Sequence, residues 1–355
     1  MEILNFKSSY QKILIGGFFL IILFSCKIKN KKRKFNTLVV DSFSSTLISE
    51  KLLNYDWSAG YHILQLGDKK YLVCQKNDKE FIIHNLLSGI EKQTIQTKFR
   101  IHGFTVGDSS IYYLPNNSNQ IVKIFISDTN FICNKNTIYN YEHFFGDTFF
   151  VATDFASSIR YNNHALAIPY GNNVLNESLL DTFGILLLKN IGESVEQKKI
   201  AKVVPNPVLG FEYLIKSITA FNPKMNDFVF TYQKCNKLYK YNLENNSLDS
   251  TVIDDYTFQD MNADKKSNMT YLRKYIMDND KNSKIICDDS SNIYLIRRNA
   301  STHIHKFTLF YFDKNLHLLG VEGINTVLFP EISFIHNNKL YVSNKTNGFT
   351  VFSFK

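Results

Sequence analysis

The sequence predicts an all-β protein, a β-propeller of six or seven four-stranded blades, with a large β-sandwich as the alternative. Three observations carry the prediction. Thirty Phe and 20 Tyr in 355 residues favour strands. A two-strand unit recurs along the chain, opening near residues 68, 107, 162, 225, 289 and 336. Repeats of about 40 to 50 residues made of four strands are propeller blades. The last unit runs to Lys355 and leaves no room for a fourth strand, while an unclaimed strand-like run, Thr37 to Val40, precedes the first unit. An N-terminal strand completing the last blade would close the ring and remove its sheet edges. A sandwich needs neither the repeat nor the closure.

Each unit is a polar turn, a strand of about five residues, a short gap and a second strand. The pairs read as Asp68 to Cys74 with Glu80 to His84, Gly107 to Leu114 with Gln120 to Ile126, and Asn162 to Ile168 with Thr182 to Leu188. They continue as Met225 to Tyr232 with Lys237 to Tyr241, Asp289 to Ile296 with Phe307 to Phe312, and His336 to Val342 with Gly348 to Phe354. The turns are rich in Asn, Asp, Gly and Ser, which tolerate tight or left-handed backbone. The strands alternate or are continuously apolar, as strands packed between sheets should be. Inner strands are expected at Ser217 to Phe221 and Lys284 to Cys287, and outer strands at Glu91 to Ile95, Glu196 to Val204 and Asp249 to Ile253.

Two stretches break the repeat. Residues 139–160 are aromatic and acidic, and residues 255–283 are polar, with one or two helical turns over Tyr271 to Ile276. Long connections of this kind carry function in propellers. Tyr141, Phe145, Asp154, Tyr271 and Arg273 are therefore the candidate ligand- or partner-binding residues.

The N-terminus reads as an export signal. A start bearing Lys7 and Lys12 leads into the apolar run Ile13 to Phe24. Twelve residues fit a signal peptide, whereas a bilayer span needs about 20. Leu23, Phe24, Ser25 and Cys26 follow the pattern that resembles the lipobox of bacterial lipoproteins. The resemblance implies diacylglycerol on the Cys26 thiol and cleavage before it. The organisation expected is a signal peptide over 1–25, a basic lipid-anchored tether over 26–36 and one propeller domain over 37–355.

Of the formal charge of +9, residues 1–25 carry +1 and residues 27–34 carry +6, so the rest of the chain carries +2. A nearly neutral globular part gives no reason to expect a nucleic-acid partner. Basic residues beside a lipid anchor suit anionic headgroups. Membrane attachment at Cys26 is the expected contact, with a protein or glycan partner beyond it.

No chemistry announces itself, and neither a metal nor a cofactor is expected. Cys74, Cys133, Cys235 and Cys287 lie 52 to 102 residues apart, within apolar runs, with no zinc-type spacing. They read as buried thiols, although export permits disulfides and three pairings of four are possible. Asp278, Asp280, Asn282 and Asp289 echo a calcium loop but lack its turn glycine and final Glu. His303 and His305 would share one strand face without further ligands. Acids such as Asp147, Asp154, Asp254 and Asp255 cannot be paired from sequence.

The arrangement also resembles a family of uncharacterised exported Bacteroidota lipoproteins built as β-propellers. The residues that carry the resemblance are Leu23 to Cys26, Tyr271 to Ile276 and Asp289 to Arg297, with Tyr271, Tyr275, Asp289, Tyr294 and Arg297 in the family's places. It implies a fold and an outer-membrane location but no activity. The function expected is binding or scaffolding in the cell envelope, with the ligand unnamed. The alternative is an envelope enzyme, a glycan hydrolase or lyase, acting at the central channel.

Overall fold

The computed structural model describes residues 36–40, 61–86, 91–107, 109–115, 120–127, 133–140, 149–151, 160–162, 165–172, 184–190, 196–200, 217–222, 224–256, 258, 268–336, 338–344 and 349–353. Strand β1 (Asn36–Val40) comes first. The next sheet takes β2 (Tyr61–Leu66), β3 (Lys69–Asn77), β4 (Glu80–Asn85) and β5 (Glu91–Gln96) in order. It is followed by β6 (Ile101–Gly107), β7 (Ser110–Pro115), β8 (Gln120–Ile126) and β9 (Cys133–Asn140). A five-stranded sheet holds β10 (Phe149–Val151), β11 (Arg160–Asn162), β12 (Ala165–Asn172), β13 (Gly184–Lys189) and β14 (Glu196–Ile200). Then come β15 (Ser217–Asn222), β16 (Asp227–Tyr232), β17 (Lys237–Asn242) and β18 (Leu248–Val252). Helix α1 (Met269–Asp278) precedes β19 (Lys281–Cys287), β20 (Ile293–Arg298), β21 (Phe307–Phe312) and β22 (Leu318–Ile324). The last sheet runs β23 (Leu328–His336), β24 (Lys339–Asn344), β25 (Phe349–Ser353) and then β1.

All the pairings are antiparallel, and the leading strands meet in a cycle: β2, β6, β11, β15, β19, β23 and β2 again. The protein is thus all-β with a propeller arrangement. β1 pairs with β25 from Asn36 opposite Ser353 to Val40 opposite Phe349, so the first strand completes the last sheet. The turn chemistry follows the sequence closely. Before the second strand of a sheet, Gly67, Ser109, Asn226, Ser291 and Asn338 take φ of +56°, +53°, +50°, +68° and +57°. Glycine bears that geometry without a Cβ penalty and asparagine bears it better than most residues. Asx side chains then fasten the loops: Asp288 Oδ1 accepts from the Ser290 and Asn292 amides, and Asn242 Oδ1 from Glu244 and Asn245.

The core lies between sheets. Val73, Phe81 and Ile83 pack on Phe104, Ile111 and Ile124 of the next sheet. Ile218, Val229 and Leu238 pack on Ile285, Leu295 and Phe310. Leu72 and Ile82 pack on Phe334 and Phe349 of the closing sheet. Each such side chain contributes about 1.5–3 kcal/mol on burial, so neighbouring sheets hold one another.

The two ends of the ring differ. Links from the fourth strand of one sheet to the first of the next emerge at one end, here the linker end, together with the turns between second and third strands. Lys281 pairs with Arg298, Arg298 with Phe307, and Phe307 with Ile324, which places the starts of β19 and β21 and the ends of β20 and β22 together. Residues 325–327 carry the chain on to β23, whose start pairs with Asn344. At the far end lie the hairpins between first and second and between third and fourth strands. β1 starts at the far end and finishes at the linker end.

Two sequence readings need correction. Residues 139–160 are not wholly an insertion. Phe149 to Val151 and Arg160 to Asn162 pair with β12, and together they supply the leading edge of their sheet. Two three-residue pieces are too short to show a strand period, which is why they escaped the pattern. The helical segment is also longer than one or two turns: α1 has 10 residues, because Asn268 caps it by accepting from the Thr270 and Tyr271 amides.

Candidate functional site

The most elaborate polar construction among the described residues sits at the linker end, where residues 253–280 join the β15–β18 sheet to the β19–β22 sheet. Arg297, on β20, is 2% exposed. Its three nitrogens have separate partners. Nε donates to Asn282 Oδ1 at 3.0 Å, Nη1 to Asp254 Oδ2 at 2.7 Å, and Nη2 to Asn236 Oδ1 at 3.2 Å. Phe310, Phe258 and Tyr256 surround the guanidinium carbon at 4.8, 5.2 and 5.4 Å from their ring centroids. Burial pulls the Arg297 pKa below its ordinary value, opposed by Asp254, then by Asp280 and Tyr256. Planar, weakly hydrated and forked, a guanidinium suits a buried site with several fixed acceptors.

Local sequence explains how the acceptors arrive. The β19–β20 register shifts between Asn282 and Lys284, a bulge that re-aims a side chain. Asn282 Nδ2 donates to the Tyr232 and Cys235 carbonyls at 2.9 and 2.8 Å, while its amide donates to the Gln233 carbonyl. Asn236 Nδ2 donates to the Asp254 carbonyl, and Asp254 Oδ1 accepts from the Tyr256 amide at 3.1 Å. The exit from β18 is thereby folded onto Arg297 within two residues of the strand. Tyr256 meets Phe258 edge-on at 5.0 Å, and burial, then Asp280, raises its phenol pKa.

α1 stands beside this joint. Lys234 lies 3.7 Å above the Tyr275 ring, and Tyr271 and Tyr275 are 6.3 Å apart. At the helix C-terminus, Asn279 Nδ2 donates to the Tyr275 carbonyl. The β20–β21 turn is tied to the same point: Ser301 Oγ donates to Asp278, and the Ala300 amide donates to Asp280 Oδ1 at 2.7 Å. His303 Nε2 comes within 3.7 Å of Asp280 Oδ1, and Ile304 at the turn tip is 88% exposed. The result is a rigid base beneath an exposed surface. With all three of its nitrogens bonded within the protein, Arg297 is a builder of this site rather than a contact offered to a ligand.

Of the candidate residues, Tyr271 is half-buried on α1, and Arg273 lies on the same helix with its side chain outside the described residues. Tyr141, Phe145 and Asp154, and the acylation candidate Cys26, also lie outside the described residues. The structure therefore brings Tyr271 and Arg273 onto one element. His303 and His305 do not share a strand face. They occupy the β20–β21 turn and diverge, His303 toward Asp280 and His305 toward Asn325 at 2.9 Å. The calcium-loop echo dissolves as well, since Asp278 ends α1, Asn282 serves Arg297, and Asp289 lies in the far-end hairpin. Among the described residues no three His, Cys, Asp or Glu side chains gather as a metal site. Cys74, Cys235 and Cys287 are free thiols, each pushed up in pKa chiefly by burial. Sequence reading missed Asn236, Tyr256 and Phe258, which nothing local marks, and met Asn282 only as part of the calcium-loop echo; Asp254 lies 43 residues from its partner.

No family model and no curated protein matches the chain. Solved structures do. A member of the DUF4221 family from Bacteroides vulgatus aligns with a TM-score of 0.61 and 11% identity, over 91% of this chain and 97% of its own. A gluconolactonase from Xanthomonas campestris aligns at 0.45 and 9% identity, over 90% and 89% of the two chains. A β-propeller domain from Myceliophteria thermophila aligns at 0.44 and 9% identity, over 83% and 82%. At such identity the first likeness speaks for the fold alone. The resemblance expected from sequence is thus met in fold alone, by the DUF4221 member.

Proposed function

We propose that the protein is a lipid-anchored cell-envelope protein whose six-bladed ring binds or scaffolds a protein or glycan partner at its linker end. The observation that carries the binding reading is the Arg297 joint, which spends a buried cation and three fixed acceptors on holding the base of the 253–280 connection. A connection that merely spanned two sheets needs no such fixing, because three or four residues suffice at β22–β23 and β5–β6. Pre-organised loops on a rigid scaffold are the usual form of a binding surface. Taking the five-stranded sheet as a blade alongside the five four-stranded sheets supports the count of six. Anchoring rests on the Leu23 to Cys26 pattern and the basic residues after it.

Two measurements test the reading. Mass spectrometry of the mature protein from envelope membranes should find Cys26 as the N-terminal residue carrying diacylglycerol, and Cys26→Ser should leave the membrane fraction. An unmodified Cys26 would end the anchoring reading. Partners retained on the purified native protein should be lost with the double variant Tyr271→Ala and Arg273→Ala at an unchanged melting temperature. Full retention would move the binding surface away from α1.

A further inference from the structure

We propose that the far end of the ring faces the lipid bilayer and that the linker end, with α1 and the β20–β21 turn, is turned away from it. The inference rests on anchoring at Cys26 and adds an orientation to it. The carrying observation is the register of β1. Asn36 pairs with Ser353 and Val40 with Phe349, so the chain enters the ring at the far end and rises toward the linker end. Its length is fixed by sequence. Nine residues separate Cys26 from Asn36, and six of the eight at 27–34 are Lys or Arg. Each basic residue close to an anionic surface gains about 1 kcal/mol from staying there. With those residues at the headgroups, only Phe35 remains before the first paired residue. One residue spans at most about 3.6 Å, too little to carry the chain around a blade. Five residues of β1 then rise roughly 17 Å away from the lipid.

The geometry gives two reporters on one sheet. Lys314 is exposed in the β21–β22 hairpin at the far end, and Ile304 is exposed in the β20–β21 turn at the linker end. Both sit on the sheet next to the closing one, so tilting of the ring affects them similarly. The partner proposed is an anionic bilayer surface, met by the far-end hairpins.

The full-length lipoprotein, carrying a fluorescent amino acid at position 314 or 304, is reconstituted into phosphatidylethanolamine–phosphatidylglycerol vesicles with a headgroup-linked quencher. Quenching at 314 should exceed that at 304 by roughly threefold or more, given ends separated by about 17–20 Å. Flotation of the vesicles is read on the same samples. Protein that floats but is quenched equally, or more, at 304 overturns the orientation and leaves anchoring standing. Protein that fails to float overturns the anchoring reading and the orientation with it.

Discussion

One joint, between the β15–β18 and β19–β22 sheets, is tied by a cation at each end, and the two ties differ in kind. At the linker end Arg297 is buried, bonded at 2.7 Å to Asp254, and shared with Asn236 and Asn282. At the far end Lys240 lies 4.0 Å from Asp227 and donates to the Lys314 carbonyl at 3.0 Å, with 14% of its side chain exposed. A guanidinium with fixed partners holds an arrangement, whereas an ammonium on a flexible stem tolerates several. The contrast teaches where the molecule keeps its geometry. At the far end, hairpins such as those at Asp288 to Asn292 and Asn242 to Ser247 are fastened largely by their own Asx side chains. The linker end needs long-range polar bonds, because there the chain leaves the repeat.

The sharpest way to break the contrast is Arg297→Met. It fills similar volume but leaves Asp254 Oδ2, Asn236 Oδ1 and Asn282 Oδ1 without their donor. Removing one partner of a buried pair costs about 3–5 kcal/mol. The low end applies here, since 19% of the Asp254 side chain remains exposed. Adding Asp254→Leu should restore part of the loss, because the stranded charge then disappears. Denaturant melts of the single and double variants check both statements. A single-variant loss under about 1 kcal/mol would show the joint to be held by packing alone.

Lys240→Met should matter less. Methionine replaces the apolar stem, and Asp227 keeps the Asn242 amide, which donates to it at 2.9 Å. A loss of about 1 kcal/mol or less in the same melts is expected, close to other loosely held ion pairs. A loss equal to that of Arg297→Met would erase the distinction between the ends.

How much of this was legible in the sequence differs by end in the same way. The far end is local chemistry: Asn226 before β16 and Ser291 before β20 mark hairpins within a few residues of one another, and the turn composition exposes them directly. The strand pairs were legible for the same reason, and ring closure followed from a last unit one strand short. The linker end was not legible. Asn282 stands opposite Arg297 in the β19–β20 ladder and Asn236 meets Asp254 at the end of the β15–β18 sheet, but the two pairs come together only when the sheets dock, and no local spacing connects them. Arg297 stood out only through family resemblance, which placed it without explaining it. Tyr271 and Arg273 were marked by departure from the repeat, a signal that finds a segment and not the contacts beneath it.

The smallest expected effect is a pH dependence at the far end. Asp227 is almost fully buried, and burial raises its pKa above the ordinary 3.8, more than Lys240 and the Asn242 amide lower it. A carboxyl with a raised folded value binds more protons folded than unfolded, so this residue's contribution to stability falls as pH rises from about 3.8 through the raised value. Asp227→Asn removes that titration and keeps a hydrogen-bonding side chain. The variant should therefore melt near the parent at pH 3 and gain on it as pH rises above 3.8, with the gap constant once the carboxyl is ionised in both states. Melting temperatures of the two proteins across that range decide the matter. A gap that shrinks or reverses with rising pH would mean that Lys240 stabilises the carboxylate more than burial penalises it. The far-end tie would then resemble the one at Arg297, and the contrast between the ends would narrow to the number of bonds.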